Sequence, residues 1–375
     1  MDLSYSEEQQ LLKDSVDRFA KEGYPLDKRK KLVASDLGHD EANWKMYAEQ
    51  GWLAIGVPEA HGGIGGAIET MVLMEGVGRW LIVEPVFATL VLGATAIRLA
   101  GNEAQQARIL PGVVAGKTKL ALAYAERQSR FNLADVKATA KEEGGGFVLD
   151  GRKVVVFGAP SADTLIVAAR TSGTERSKSG ISLFLVDAKA KGVSIRGYRN
   201  VDGQRAGDVT LSGVKVGADA LLGQKDKGYA TLEAVADHAL AALCAEAVGC
   251  MQVLHDMTLE YLKTRQQFGQ PIGRFQALQH RMADVFVALE HAKSMAIYAA
   301  LSLSERSAKT RTKAMSAAKA AIGQAARLIG QESVQMHGGM GMTDELAVGH
   351  YFKRLTMIDM TLGNADYHLQ RFAEL

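Results

Sequence analysis

Residues 265–276 read Arg265-Gln266-Gln267-Phe268-Gly269-Gln270-Pro271-Ile272-Gly273-Arg274-Phe275-Gln276, and this stretch ends one long helical pattern and opens the next. An arginine at a helix C-terminus beside a Gly-Pro break is an ordinary cap, its cation set against the last carbonyls. The same guanidinium is also a permanently charged, forked donor suited to a pyrophosphate, and Phe268 offers a flat apolar surface to an aromatic ring. On the residues alone both readings stay open. A second signal follows in Gln335-Met336-His337-Gly338-Gly339-Met340-Gly341, where glycines after a helix let backbone approach a ligand closely. It is not the G-x-G-x-x-G fingerprint, and no strand precedes it.

Working outward, the chain shows three zones of different periodicity. Residues 1–116 read as an N-terminal α-helical domain. Ser6 is an N-cap candidate, Leu11, Leu12, Val16 and Phe19 have the spacing of one buried face, and further helices are expected over 67–81, 85–100 and 103–115. Residues 117–225 switch to short strands and predict a small β-barrel or sandwich. Asp150-Gly151 reads as a two-residue hairpin between Phe147–Leu149 and Val154–Phe157, and polar Thr171–Gly180 reads as a mobile loop. Residues 226–375 are helical and alanine-rich, predicting a C-terminal four-helix bundle whose apolar surface favours subunit association.

Bulk properties narrow the function classes. The 375 residues exceed one simple core, and 47% hydrophobic with 23% charged residues is ordinary for a globular protein. With a net charge of +2 and only the Lys28–Lys31 run of like charge, read as a solvated helix end, no nucleic-acid partner is expected. The acidic N-terminal stretch does not resemble a signal peptide, and the apolar run Val86–Ile97 is too short to cross a bilayer. Cys244 and Cys250 lie six apart on one predicted helix, about 9 Å along its axis, so they cannot pair. Two unpaired thiols fit a cytoplasmic location. No G-x-S-x-G, H-E-x-x-H or C-x-x-C occurs, and the nine histidines lack metal-ligand spacing, so no metal site is expected.

The helical, β and four-helix zones in this order, with R-x-x-F-G-x-P-I-x-x-F-Q at 265–276 and Q-x-x-G-G-x-G at 335–341, resemble the acyl-CoA dehydrogenase family over essentially the whole chain. More narrowly, Tyr261-Leu262-Lys263-Thr264-Arg265 and the run from His350 to Asp359 resemble the small subunit of pimeloyl-CoA dehydrogenases. The resemblance implies an α+β fold and an FAD-dependent oxidoreductase of fatty acid metabolism and β-oxidation. In such an enzyme a carboxylate removes the α-proton of an acyl-CoA thioester while the β-hydrogen leaves as hydride to the flavin. Electrons then pass to an electron-transfer flavoprotein. It further implies that Arg265, Gln267, Phe268 and Gln276 grip the adenine-pyrophosphate half of an FAD bound largely to a neighbouring subunit. Gln335, Met336, His337, Gly338 and Gly339 would contact the same dinucleotide. The narrower resemblance implies a dicarboxylyl substrate such as pimeloyl-CoA and a larger partner subunit; a homo-oligomer is the other possibility.

Three departures from the family pattern bear on the site. Where the family reads roughly T-E-P-x-x-G-S-D, this chain has Ala125-Glu126-Arg127-Gln128-Ser129-Arg130-Phe131-Asn132, matching only at Glu126. Where a Trp-x-Thr lies against the isoalloxazine after G-x-K, Gly151-Arg152-Lys153 leads to Val155 and Phe157. Phe157 has no hydroxyl to offer the flavin. The base is also missing: the family's Glu-Gly-Thr aligns with Gly363 or Asn364, and the alternative position on the first bundle helix is Ala239. Two carboxylates remain as candidates. Asp366 lies just beyond Asn364, and Glu246 is two helical turns after Ala239, about 10 Å along the same face. A lone carboxylate on so apolar a helix is either catalytic or paired with an Arg or Lys of a facing helix. The departures together suggest the less complete subunit of a hetero-oligomer. A non-catalytic scaffold subunit, or a flavin oxidase or monooxygenase of the same fold, are the competing readings.

Overall fold

The computed structural model describes residues 5–375. By compactness the described residues form two units, each assembled from separated stretches: residues 5–30, 67–82 and 240–375 in one, and residues 31–66 and 83–239 in the other.

The first unit is helical. It contains α1 (Glu7–Gly23), the start of α2 (Leu26–Ala34, divided at residue 30), α4 (Ala67–Arg79) and most of α7 (Gly228–Thr264, divided at residue 239). α8 (Gln276–Ser302), α9 (Ala308–Met336), α10 (Ala347–Met360) and α11 (Ala365–Glu374) complete it. Ser6 caps α1 as expected, in a full capping box with Gln9. The buried face of α1 carries Val16 and Ala20, whereas Leu11 is 69% exposed, so the apolar face is narrower than the sequence spacing suggested. Alanines 314, 318, 320, 325 and 326, with Gly323 and Gly330, are buried along α9. Small side chains there let α8, α10 and α11 pack close around it. The closest approach joins α4 to α7: a Cβ on Gly78 would collide with the carbonyl oxygen of Glu246, and one on Gly249 with that of Glu75. At the same crossing the Cys250 thiol donates to the Gly78 carbonyl at 3.2 Å. Neither cysteine forms a disulfide and both are fully buried, and burial pushes the Cys244 thiol up to about 12. Within the expected solvated run, Arg29 is 3% exposed and donates to the Leu81 carbonyl at 2.8 Å, so that run also reaches into the core.

The second unit is built on a mixed sheet of β1 (Leu120–Ala123), β2 (Thr139–Glu143), β3 (Gly146–Phe157), β4 (Thr164–Arg170), β5 (Ile181–Asp187), β6 (Val193–Arg199), β7 (Arg205–Gly217) and β8 (Leu221–Leu222). The order is β6-β7-β3-β2-β4-β5-β8, with β1 parallel to β4. α3 (Glu41–Glu49), α5 (Thr95–Ala100) and α6 (Glu103–Val114) accompany it, and α5 continues a π-helical stretch, Phe87–Ala94. The hairpin expected at Asp150-Gly151 is absent, because β3 runs straight through those residues with a register shift between Leu149 and Gly151. The turn is one step earlier. Gly144 and Gly145, at φ 59° and 81°, join β2 to β3 as a two-residue loop that favours glycine. Thr171–Gly180 is tied down rather than loose. The 8% exposed Arg170 donates to the carbonyls of Ser172, Glu175, Ser177 and Ser179 from this segment, and to those of Ala134 and Val136.

By length and composition α7 is apolar enough to cross a membrane, but 89% of its apolar window is buried. Overpacking costs about 1–3 kcal/mol, so Gly249→Ala or Gly78→Ala is expected to lower the unfolding free energy by at least that much, read from the urea midpoint.

Candidate functional site

The Arg265 stretch folds as a tight hairpin, β9 (Gln266–Gln267) against β10 (Gln270–Pro271), directly after α7. Its two turn residues, Phe268 and Gly269, have φ 54° and 78°, the signature of a type I′ turn. Glycine suits that conformation; phenylalanine does not, and such an outlier costs about 1–3 kcal/mol. Phe268 is moreover 89% exposed, touching only Phe275 edge-on at 6.0 Å among the recorded ring contacts. A bulky apolar side chain held in strain and in solvent adds nothing to folding, which makes Phe268 a candidate for function. Arg265, Gln267 and Gln276 are exposed beside it, and no acidic side chain among the described residues pairs with Arg265.

The Gln335 stretch ends α9 and turns into a short 3₁₀ segment, Gly338–Met342. Gln335, Gly338 and Gly339 are exposed. A Cβ on either glycine would meet nothing within 4 Å, and Gly338 takes φ 59°. Met336 and His337 are 5% and 4% exposed, which removes them from the surface on which the resemblance placed them. The His337 ring stacks on Tyr261 with centroids 4.4 Å apart and planes at 27°. Burial pushes its pKa below the ordinary histidine value, so the ring is neutral and its Nδ1–H donates to the Ser333 carbonyl at 2.8 Å. The stack brings the ends of α7 and α9 together, and with them the two motifs.

Glu246 does not face an open site. Arg354 donates to both its oxygens, Nε to Oε1 at 2.6 Å and Nη2 to Oε2 at 2.7 Å, with side chains 2% and 4% exposed. A buried carboxylate whose two oxygens are both engaged by one guanidinium is accounted for as half of an ion pair, so the geometry favours pairing over proton abstraction. Asp366 is exposed in the first turn of α11, where a carboxylate complements the helix N-terminus. Sequence reasoning missed what holds the neighbouring turn. Lys319, fully buried on α9, donates to the carbonyls of Asp359, Thr361 and Gly363 at 2.8, 3.1 and 2.5 Å. Buried His368 adds a contact to the Leu362 carbonyl at 3.0 Å. Leu362 and Gly363, both at positive φ, are thereby locked. Tyr367 and His368 occupy the space a side chain at Gly363 would need. The only prior signal was a lysine in an alanine-rich helix.

In the second unit, Glu126, the one position that matches the family pattern, is the centre of a buried hydrogen-bond network. It accepts from Lys153 Nζ at 2.7 Å, Gln128 at 2.8 Å and the backbone N–H groups of Lys137 and Ala138 at 2.9 and 3.0 Å. Burial alone would raise this carboxyl; the Lys153 ammonium and these donors hold it below its usual range. Val155, a β-branched residue at φ 52°, sits in a bulge of β3, its N–H bonded to the Tyr198 hydroxyl at 3.1 Å. Phe157 is 7% exposed and packs edge-on against Phe87 at 5.9 Å. The cavity they line measures about 20 Å³, room for about one water.

The donor set around Arg265 and Gln335 therefore fits the pyrophosphate and adenine half of a dinucleotide: a guanidinium, exposed amides, an exposed ring and open glycine backbone. Phe157 itself offers no hydroxyl to a flavin ring, and the donors near it, His39, Ser161, Gln204 and Arg205, line a cavity too small to admit one. Among the described residues no group of three or more His, Cys, Asp or Glu could hold a metal ion.

Removing one partner of a buried ion pair costs about 3–5 kcal/mol, so Arg354→Met is expected to destabilise by that amount, and Glu246→Leu with Arg354→Met by much less. A Glu246→Gln protein that loses turnover but not stability would return Glu246 to catalysis. Burial also pushes His368 down to about 3. The unfolded chain then binds more protons than the folded one between the ordinary value near 6.5 and about 3, and stability falls by about 1.4 kcal/mol for each pH unit descended in that window. Denaturation midpoints from pH 7 to pH 4 should show this slope, reduced in His368→Gln.

The family descriptions for the N-terminal, middle and C-terminal domains of acyl-CoA dehydrogenase match residues 6–117, 121–214 and 226–374. A 3-(aryl)acrylate reductase of Clostridium sporogenes is 30% identical over 329 residues, 86% of either chain. The caffeyl-CoA reductase-Etf complex subunit CarC of Acetobacterium woodii is 29% identical, covering 93% of each. Among solved structures, a Tcur3481-Tcur3483 steroid ACAD variant is 31% identical with a TM-score of 0.88, covering 98% of this chain and 97% of that one. The ChsE4-ChsE5 complex of Mycobacterium tuberculosis is 25% identical with a TM-score of 0.88, covering 100% and 98%. The chain belongs to the acyl-CoA dehydrogenase family, whose members are FAD-binding oxidoreductases.

Proposed function

We propose that this chain is one subunit of an FAD-dependent acyl-CoA dehydrogenase, and the less complete member of a hetero-oligomer with a larger subunit. The observation that carries the reading is asymmetry. The strained, exposed Arg265–Phe268 hairpin stands beside the open Gln335–Gly339 turn, while the positions that would serve a flavin ring and a base are filled by other chemistry. Arg265 neutralises the pyrophosphate, Gln267, Gln276 and Gln335 add amide hydrogen bonds, Phe268 covers the adenine, and Gly338-Gly339 gives the backbone room to approach. Bound FAD supplies the two-electron redox centre for α,β-desaturation of the thioester. The base comes from the partner: Glu246 is held by Arg354, and Asp366 lies in solvent at the start of α11.

Electrons leave to an electron-transfer flavoprotein, in keeping with the Etf complex of the caffeyl-CoA reductase relative. A two-component assembly is in keeping with the ChsE4-ChsE5 complex. The narrower sequence resemblance adds a dicarboxylyl-CoA such as pimeloyl-CoA as substrate; the sequence periodicity adds a three-domain partition at 116 and 225, and the two thiols without a disulfide add a cytoplasmic location. Phe157, which has no hydroxyl for a flavin, equally favours a second reading. In it the chain is a non-catalytic scaffold that completes the partner's flavin site.

Hydrogen bonds to a charged group contribute about 1.5–3 kcal/mol, so Arg265→Ala in the assembled complex is expected to weaken FAD retention about ten- to a hundredfold. Fluorescence of released FAD measures it. Stoichiometric FAD with full acyl-CoA turnover in the isolated chain sinks the shared-site reading.

A further inference from the structure

We propose that Tyr261 and His337 are positioning residues, a ring-on-ring brace that sets the spacing between the Arg265 hairpin and the Gln335–Gly339 turn so that both reach one dinucleotide. The inference rests on the shared-flavin reading above, and it moves His337 from the binding surface to the layer beneath.

The placement is specific. Tyr261 lies one helical turn before Arg265, and its carbonyl accepts the Arg265 N–H at 2.8 Å. The hairpin returns on the same residue, since the Ile272 N–H donates to the Arg265 carbonyl at 2.9 Å. Arg265 is thus fixed by backbone on both sides, and its position follows that of Tyr261. Across the gap, His337 directly precedes Gly338 and lies two residues after Gln335. Its ring cannot turn away, because one carbonyl, that of Ser333, accepts both its backbone N–H at 3.2 Å and its ring Nδ1–H at 2.8 Å. A side chain on Gly341 would collide with the Val334 carbonyl and crowd the His337 Cβ, so the following turn folds back over this residue. The stacked rings at 4.4 Å are therefore the contact through which the end of α7 meets the end of α9. Arg265, Gln267, Phe268, Gln335, Gly338 and Gly339 are exposed, whereas His337 is 4% exposed. A residue that bound the dinucleotide directly would share the exposure of its neighbours.

The test uses the flavin-loaded assembly purified through a tag on this chain, and it follows release of FAD for Tyr261→Phe, Tyr261→Leu, His337→Leu, Arg265→Ala and the Tyr261→Leu/Arg265→Ala double variant. Tyr261→Phe keeps the ring face and is expected to match the parent. Aromatic pairing of this kind corresponds to about a two- to tenfold effect, so Tyr261→Leu and His337→Leu should each release FAD faster by that factor. Because the brace acts through the grip it positions, of which Arg265 is one part, the double variant should speed FAD release by less than the product of the two single effects, a non-additivity that a general folding defect does not produce. If Arg265→Ala releases FAD while both leucine variants behave as the parent, the brace is overturned and the shared-flavin reading stands. If Arg265→Ala itself has no effect, the functional reading fails first. Failure of both leucine variants to assemble would make the stack a folding contact and likewise overturn the proposal.

Discussion

Inside the helical unit, α7 is held at its middle by two contacts, and the fixed elements follow from that. Arg354 of α10 closes on both oxygens of Glu246, and one turn along α7 the helix α4 comes so near that only glycines fit at 78 and 249. The first contact is directional and stays strong only while both partners are present and dry. The second is steric. Together they fix where α7 ends, and its end carries Arg265. An ion pair at the middle of the helix and a strained hairpin at its tip are thus parts of one arrangement.

The same logic explains why a carboxylate on an apolar helix looks like a catalyst in sequence and proves to be half of a pair. Burial raises the cost of an ionised group wherever it sits, and both a reactive site and a structural lock can offset that cost. Only the facing residue decides between them, and Arg354 lies 108 positions away on another helix. His337 illustrates the converse. Its place inside a glycine-rich motif suggested contact with a ligand, yet adjacency in sequence says nothing about which way a ring turns at a helix end. Tyr261 beneath it was a signal in plain view, four residues before the arginine.

Long elements were therefore legible and short-range direction was not. The three zones, the Ser6 cap and the α7–α9 helices follow from periodicity and capping chemistry, which are local. The β2–β3 turn was misplaced by six residues, because Asp150-Gly151 and Gly144-Gly145 carry the same turn chemistry and only the pairing of β3 with β7 chooses between them. Arg170 and Lys319 were unreadable for a different reason. Each binds carbonyls rather than side chains, and a carbonyl leaves no trace in the sequence. That buried cations rather than acids organise the Thr171–Gly180 loop and the α10–α11 turn is a feature only coordinates reveal.

The two cysteines have a practical corollary. Both thiols are sealed inside the helical unit, one of them at the α4–α7 crossing, and the Cys244 thiol is held in its unreactive protonated form far above neutral pH. Electrophiles such as maleimides will therefore leave the native fold untouched and mark the chain only when that interior opens. Alkylation becomes a clock for opening of the bundle, and a single engineered thiol at the hairpin tip would report on partner docking against a silent background.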